Sequence, residues 1–399
     1  MFLLIVVICL FACSENASEA DYTGETEFYD DTKETSAPEV KDIIALDKNI
    51  VLHSETDIGS ARPLVRCEYS FITMAEADTA NYTTLSRALD QKAQMLRQAM
   101  ETERDNLISF AKEELEQNAE GFNTYVSTLD IQVRRADSTV LSLLSDSYSD
   151  YGMIENCRVL TGSNFDAETG EELKLSDVIA DVTRLPALIE QEIDRTCTVE
   201  LFSDTAVSDY FRDTPEDGIR WTLDYNGVTF YFTAGELDSE VQGGHAVTVT
   251  FASHPDLFVE RYIAVPNEYM VELSEDVSFF TDIDEDGICE PIIFSARYDE
   301  EQKQYIDFKI YVGMDGLYYC EECYQYNLYP FYAKTDNGHF LYLFCEDSSD
   351  NTDTMTVKIF RLEKGNITKA DELDNVYAYT HTGAFNVPTD TAELHLDDH

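Results

Sequence analysis

The sequence predicts an α+β fold: an antiparallel sheet with a long packed helix, followed by a β-rich segment with propeller-like hairpin repeats. Three observations support this prediction. Apolar residues recur at helical intervals over residues 82–118. Short runs rich in β-branched and aromatic residues flank this helix on both sides. Over residues 270–380, tyrosine, phenylalanine and aspartate dominate, and a hairpin unit occurs twice.

The composition bounds the class of protein. With 399 residues, 44% hydrophobic and 12% aromatic, the chain can build two or three packed domains and is not disordered as a whole. It carries 79 acidic against 27 basic residues, a formal net charge of −52. Such a chain has few cations with which to neutralise phosphates, so nucleic acid is excluded as a partner, whereas basic proteins and cations would be attracted. Solubility, or adaptation to a salty or acidic habitat, is the alternative meaning of the charge.

The amino terminus indicates export. Residues 1–13 form an apolar run too short to span a membrane and typical of a signal peptide. The segment Leu10-Phe11-Ala12-Cys13 resembles a bacterial lipobox, although the usual basic start is missing. The resemblance implies cleavage before Cys13, lipidation of that cysteine, and an extracytoplasmic protein anchored to the bacterial cell membrane by lipid alone. An ordinary secretory signal or a membrane anchor is the alternative. The acidic residues 14–45 are predicted to form a disordered tether.

The next two predicted domains are an α+β domain over residues 46–124 and a second domain over residues 125–255. In the first, strands at 49–53 and 66–72 precede the long helix at 82–118. In the second, strands are predicted at 129–133 and 140–144. A strand end and a turn at Gly170 then lead to a helix capped by Ser176 or Asp177. A helix at 185–193, a hairpin at Asn226-Gly227 and a strand at 247–251 complete the domain.

Four segments of the second domain also carry a family resemblance. They are STVLSLL at 138–144 with Tyr148 and Tyr151, LTGSNFDAETGEELKLSD at 160–177, YNGVTFYF at 225–232, and ELDSEVQGGHAVTV at 236–249. Residues 125–252 thereby resemble the RsiV-like extracytoplasmic domain of lysozyme-sensing anti-sigma factors and some peptidoglycan deacetylases. The resemblance implies that residues 46–124 are the usual companion domain and that lysozyme or peptidoglycan is the ligand. The sequence departs from the family pattern at residues 151–156, and it lacks the anti-sigma segment, so sigma-factor control is not implied.

The segment DIDEDGICE at residues 282–290 predicts a calcium site between two strands. The predicted ligands are the side chains of Asp282, Asp284, Asp286 and Glu290 and the carbonyl oxygen of Ile288. Gly287 allows the sharp turn that folds such a loop around the ion. The loop resembles the calcium loops of integrin-type β-propeller repeats, because strands flank it. An acidic hairpin turn without metal is the alternative.

The hairpin unit of residues 270–380 occurs twice, with FKIY at 308–311 and VKIF at 357–360 as equivalent strands. Asp336-Asn337-Gly338 takes the place of the calcium loop in the second copy. Two units cannot close a propeller, so they either pack as an extra sheet on the main domain or belong to a truncated chain. Residues 381–399 are expected to be a tail.

Catalytic motifs are not evident. The sequence has no HExxH, GxSxG, P-loop or GxGxxG pattern, and it lacks peptidoglycan deacetylase motifs. The lone pair Cys320 and Cys323 predicts a local disulfide or two buried thiols rather than a metal or redox site.

The predicted function is therefore a non-catalytic extracytoplasmic lipoprotein that binds a cell-wall component or a basic protein such as lysozyme. A wall-polymer or polysaccharide-active enzyme with an unrecognised carboxylate site, and a calcium-stiffened adhesion module, are the alternatives.

Overall fold

A six-stranded sheet is the largest element of the fold. It is seen in a computed structural model that describes residues 42–56, 63–151, 157–196, 205–233, 235–237, 245–299, 302–313, 317–347, 354–379 and 384–389. Its strands are β1 (Leu46–Glu55), β2 (Val65–Met74), β3 (Tyr125–Ala136), β4 (Val140–Asp150), β5 (Cys157–Asp166) and β18 (Phe385–Val387). The strand order is β18–β1–β2–β3–β4–β5. The sheet therefore combines strands from both predicted domains with one from near the end of the chain.

The predicted long helix is confirmed as α2 (Thr83–Gln117), which follows the short helix α1 (Glu76–Thr79). Leu85, Leu89 and Ala93 are buried at intervals of four residues, so one stripe of α2 packs on the sheet. At 1.5 Å per residue the helix is about 50 Å long and returns the chain to the end where β2 began. As a result β2 and β3 run parallel, while the other pairs in this sheet are antiparallel as predicted.

The segment from β5 into the next helix forms as predicted except at the cap. Gly170 has a φ of +72°, and a Cβ there would lie 2.7 Å from the carbonyl oxygen of Thr84, so the turn requires glycine. Helix α3 (Leu175–Val178) is capped by Lys174, so the prediction of Ser176 or Asp177 was wrong. Asp177 instead lies inside the first turn, and its carboxylate accepts the Lys174 N–H at 2.8 Å.

A second core lies beside β5. It contains α4 (Leu185–Thr196), α5 (Ala206–Asp213), β6 (Trp221–Leu223), β7 (Gly227–Phe232) and β8 (His245–Thr250). The predicted hairpin at Asn226-Gly227 is confirmed, since β6 and β7 pair across it. The Asn164 side chain joins β5 to β6, donating to the Trp221 carbonyl at 3.1 Å and accepting the Leu223 N–H at 2.9 Å.

The two repeated units form two antiparallel sheets. The first contains β10 (Phe279–Thr281), β11 (Glu290–Asp299), β12 (Gln304–Val312) and β13 (Tyr318–Gln325). The second contains β9 (Tyr269–Glu272), β14 (Asn327–Thr335), β15 (Gly338–Glu346), β16 (Thr354–Glu363) and β17 (Asn366–Tyr377). They share an apolar core in which Phe308 and Phe360 lie 5.8 Å apart between ring centroids. The units thus pack as additional sheets, the first of the two predicted arrangements.

The second repeat sheet also packs against the main sheet. The Phe385 ring on β18 stacks on Tyr329 and contacts Phe344, with centroid distances of 5.2 and 6.1 Å. These contacts belong to the core that also holds α2. The repeat sheets are therefore fixed to the rest of the fold by aromatic packing.

The cysteine pair does not match either predicted form. Cys320 and Cys323 are free thiols, the first exposed and the second buried. Both lie on β13, where residues three apart point to opposite faces of the strand. A local disulfide and a pair of buried thiols are both excluded by that alternation.

The signal peptide, Cys13 and tether residues 14–41 lie outside the described residues. Ile44, near the end of the predicted tether, is fully buried, and its N–H donates to the Ala136 carbonyl at 3.0 Å. In the part of the chain that the structure describes, no helix combines the length and apolarity needed to cross a bilayer.

Candidate functional site

The predicted calcium segment, here called the acidic loop (residues 282–290), joins β10 to β11 as expected. Its fold is built around Asp282, whose carboxylate accepts the N–H groups of Asp286 at 3.0 Å and Gly287 at 2.8 Å. Gly287 has a φ of +86°, which favours glycine. Glu290, at the start of β11, accepts the Ile283 N–H at 3.0 Å. Backbone donors therefore hold the two ends of the loop together.

The loop brings three of the predicted ligands close together. One carboxylate oxygen each from Asp282, Asp284 and Glu290 lies within 4.8 Å of the others. Asp286 is outside this group, and its carboxylate accepts the Ile288 N–H at 2.8 Å. An all-oxygen donor set of this kind suits Ca²⁺ chemically.

A lysine that the sequence did not suggest lies among these carboxylates. Lys364, in the turn between β16 and β17, places its Nζ 2.7 Å from Asp284, 2.9 Å from Asp286 and 3.4 Å from Glu290. Hydrogen bonds from Lys364 and the Ile288 N–H lower the pKa of Asp286. The ammonium thus acts as a stand-in cation, and a calcium ion bound here would have to displace it.

A second acidic site was not predicted at all. It is a cleft of about 560 Å³, here called the Glu272 cleft, lined by one face of the main sheet and by residues from β9, β11, β12 and β14. Its lining carboxylates are Glu68, Asp130, Asp146, Glu272, Glu275 and Asp276. Its lining also contains Tyr148, Tyr305 and Tyr329.

One buried lysine organises the floor of the cleft. Lys48 Nζ lies 2.6 Å from Glu272 Oε1 and 2.9 Å from Asp130 Oδ1. Asp130 also accepts hydrogen bonds from Ser70 and Gln132. Burial opposes the charge of Lys48, but the two carboxylates outweigh it and raise the pKa of the lysine.

The two carboxylates beside Lys48 have opposite pKa shifts. Burial disfavours ionised Asp130, but Lys48 and the side-chain hydrogen bonds hold its pKa below the ordinary value. Burial raises the pKa of Glu272 to about 7 despite the attraction of Lys48. One ammonium can compensate one carboxylate fully, so the better hydrogen-bonded Asp130 keeps the negative charge.

The residues of the cleft were missed because they come together from distant strands. Lys48 and Glu272 are 224 positions apart. The sequence of β3 nevertheless carries an indication of the cleft, because Thr128, Asp130 and Gln132 alternate there with apolar residues. Since β3 is a central strand, its polar face must contact other polar groups.

Comparison with known proteins shows only distant likeness. The sequence matches no known protein family and no curated protein. Among solved structures, a DUF3298 family member from Bacteroides fragilis is 15% identical with a TM-score of 0.41, over 54% of this chain and 94% of that one. A DUF3298 family protein from Pseudomonas aeruginosa PAO1 is 12% identical with a TM-score of 0.37, over 56% of this chain and 98% of that one. Both of these structural neighbours are described as DUF3298 family proteins.

Proposed function

We propose that this chain is a non-catalytic, lipid-anchored extracytoplasmic protein that binds a cell-wall-associated ligand, with a basic protein such as lysozyme as the leading partner. The lipobox-like Cys13 supports the location. The RsiV-like resemblance of residues 125–252 supports lysozyme or peptidoglycan as the ligand. The observation that carries the proposal is the distribution of charge.

Several of the basic side chains are buried in ion pairs. Arg134 forms a buried ion pair with Asp224 at 3.0 Å, and Arg135 forms one with Asp137 at 2.7 Å. Lys48 is enclosed in the same way. Each of these pairs is close to neutral, so almost all of the formal net charge of −52 falls on the remaining residues and makes the accessible surface strongly negative. Such a surface attracts a basic protein at long range and speeds its association.

The acidic loop has a supporting part in this proposal. Asp282, Asp284 and Glu290 form the converging part of a proposed Ca²⁺ site that would stiffen the first repeat sheet. Asp286 and the Ile288 carbonyl stay predicted ligands of this site. The adhesion-module alternative rests on the same loop. Both depend on calcium binding.

Retention on two matrices tests the binding proposal. Purified protein is passed over immobilised lysozyme and over peptidoglycan at low and high salt, with succinylated lysozyme as a matched matrix of reversed charge. We expect retention on native lysozyme at low salt, loss of retention at high salt, and none on the succinylated form. If the protein binds neither native lysozyme nor peptidoglycan at low salt, the proposal is overturned.

A wall-polymer hydrolase is the second candidate. The opposite pKa shifts of Glu272 and Asp130 favour it, since separated carboxylate pKa values are typical of acid–base pairs. Against it, Glu272 is only 3% exposed and is bound to Lys48. Release of reducing sugars from peptidoglycan by the wild type but not by Glu272→Gln would establish the enzyme. Absence of turnover in both would leave the binding function.

A further inference from the structure

The Glu272 cleft has an excess of negative charge that the protein does not compensate. Six carboxylates line it, whereas Arg158 is the cation in the lining and Lys48 lies in its floor. Arg158 is already bound to Asp146, at 2.9 and 2.5 Å, and to the Glu275 carbonyl at 2.8 Å. Lys48 is shared by two carboxylates. Among the described residues of the lining, the remaining acidic groups therefore have no cation of their own.

This excess is reflected in the ionisation of the lining. Burial in the cleft, followed by the charges of Asp130 and Glu346, raises the pKa of Glu68. Burial also raises the pKa of Glu275, and neighbouring Asp276 adds to the effect. Glu68 is exposed to solvent and lines the cleft, so a ligand in the cleft can reach its carboxylate. A positively charged ligand would relieve this repulsion.

The floor of the cleft also has a carboxyl oxygen without a hydrogen-bond partner. Glu272 is 3% exposed, and its Oε2 has no hydrogen-bond partner among the described residues. Buried polar atoms without partners are uncommon and destabilising, so such an atom in a cavity wall indicates a ligand. An ammonium group placed there would favour the ionised form of Glu272 and donate a hydrogen bond to Oε2.

The arrangement favours an extended organic cation over a metal ion. Within the described part of the chain, the group of three acidic residues that converge within 4.8 Å is in the acidic loop, not in the cleft. The cleft carboxylates are thus spread along its walls. Tyr148, Tyr305 and Tyr329 provide apolar rings for a hydrocarbon chain and faces that attract cations. A volume of about 560 Å³ suits a small molecule.

We propose that the Glu272 cleft binds a small organic polycation of the linear polyamine class. Ammonium groups donate to Glu272 and Glu68, and the methylene chain lies against the tyrosines. This site is independent of the proposed capture of a basic protein.

Calorimetric titration with spermidine, at moderate salt, tests the site. We expect one saturable site in the wild type. Glu68→Gln keeps the shape of the side chain, removes one charge outside the Lys48 cluster, and should weaken spermidine binding by about tenfold, the value of a charge-assisted hydrogen bond. Glu120→Gln, at an exposed turn after α2, removes the same charge outside the cleft and should change the affinity less than about twofold.

Equal weakening by Glu68→Gln and Glu120→Gln would contradict the site, because binding would then follow net charge alone. Displacement of spermidine by equimolar Mg²⁺ would contradict it too, since a compact divalent ion would be the better ligand. Circular dichroism of both variants confirms that the fold is kept.

Discussion

In two regions of this molecule a lysine lies among several carboxylates, but one lysine is buried and the other is exposed. In the Glu272 cleft, Lys48 bridges Asp130 and Glu272 and is 1% exposed. In the acidic loop, Lys364 lies among Asp284, Asp286 and Glu290 and is 53% exposed. Each lysine comes from an element distant in sequence from its carboxylates. Each therefore joins two parts of the fold as well as balancing charge.

The difference in burial gives the two lysines different roles. Water and salt screen the charges around Lys364, so an added cation can replace it at little loss. Lys48 has no such substitute, because removing one partner of a buried ion pair leaves the others charged and poorly solvated. The comparison predicts a structural lysine in the cleft and an exchangeable one in the loop.

Replacing the buried lysine should have the largest effect. Lys48→Met keeps most of the side-chain volume but leaves Asp130 and Glu272 without their cation, and should lower the free energy of unfolding by about 3–5 kcal/mol. Urea denaturation measures this loss. Lys364→Met is the matched control and should leave the urea midpoint close to that of the wild type. Similar losses in the two variants would remove the distinction on which the comparison depends.

The pH dependence of stability should report on Glu272. Its folded pKa of about 7 exceeds its ordinary value of 4.5, so between these pH values the folded state keeps a proton that the unfolded state has released. Stability from this group therefore falls as pH rises from about 4.5 to about 7. Lys48, Asp130 and Arg134 act on the same carboxyl group.

The Glu272→Gln variant has no group that ionises at this position. As pH rises over this range, its free energy of unfolding should therefore increase relative to that of the wild type, by on the order of 2 kcal/mol. Urea denaturation at pH 5 and pH 8 measures the change. A constant difference between the two proteins at both pH values would show that Glu272 titrates normally.

Calcium should give a smaller, ligand-dependent effect at the acidic loop. At ten times its dissociation constant, Ca²⁺ should raise the free energy of unfolding by about 1.4 kcal/mol, seen as a higher melting temperature. Asp284→Asn should abolish this shift by removing a ligand, whereas Lys364→Met should strengthen Ca²⁺ binding by removing the competing ammonium. An unchanged melting temperature in the wild type at millimolar Ca²⁺ would rule out the metal site.

Features that depend on residues close together in the sequence could be predicted, whereas features that depend on residues far apart in the sequence could not. Helix α2 and the Asn226-Gly227 hairpin depend on neighbouring residues, and both were predicted. The acidic loop is contiguous, so its ligands could be named, but Lys364 lies 78 positions from Asp286 and could not. The Glu272 cleft depends on strands that meet only after folding. The cysteine prediction was wrong because no strand had been predicted over residues 318–325, and alternation along β13 separates Cys320 from Cys323.

The central claim, that an acidic surface captures a basic wall-associated protein, is tested most directly by the affinity for lysozyme at two salt concentrations. Biolayer interferometry at about 50 mM and about 200 mM NaCl changes the screening length roughly twofold without changing either protein. We predict that lysozyme binding weakens by at least about tenfold at the higher salt, and that succinylated lysozyme does not bind at either. Equal affinity at both salts, or equal binding of the two lysozymes, would contradict the claim.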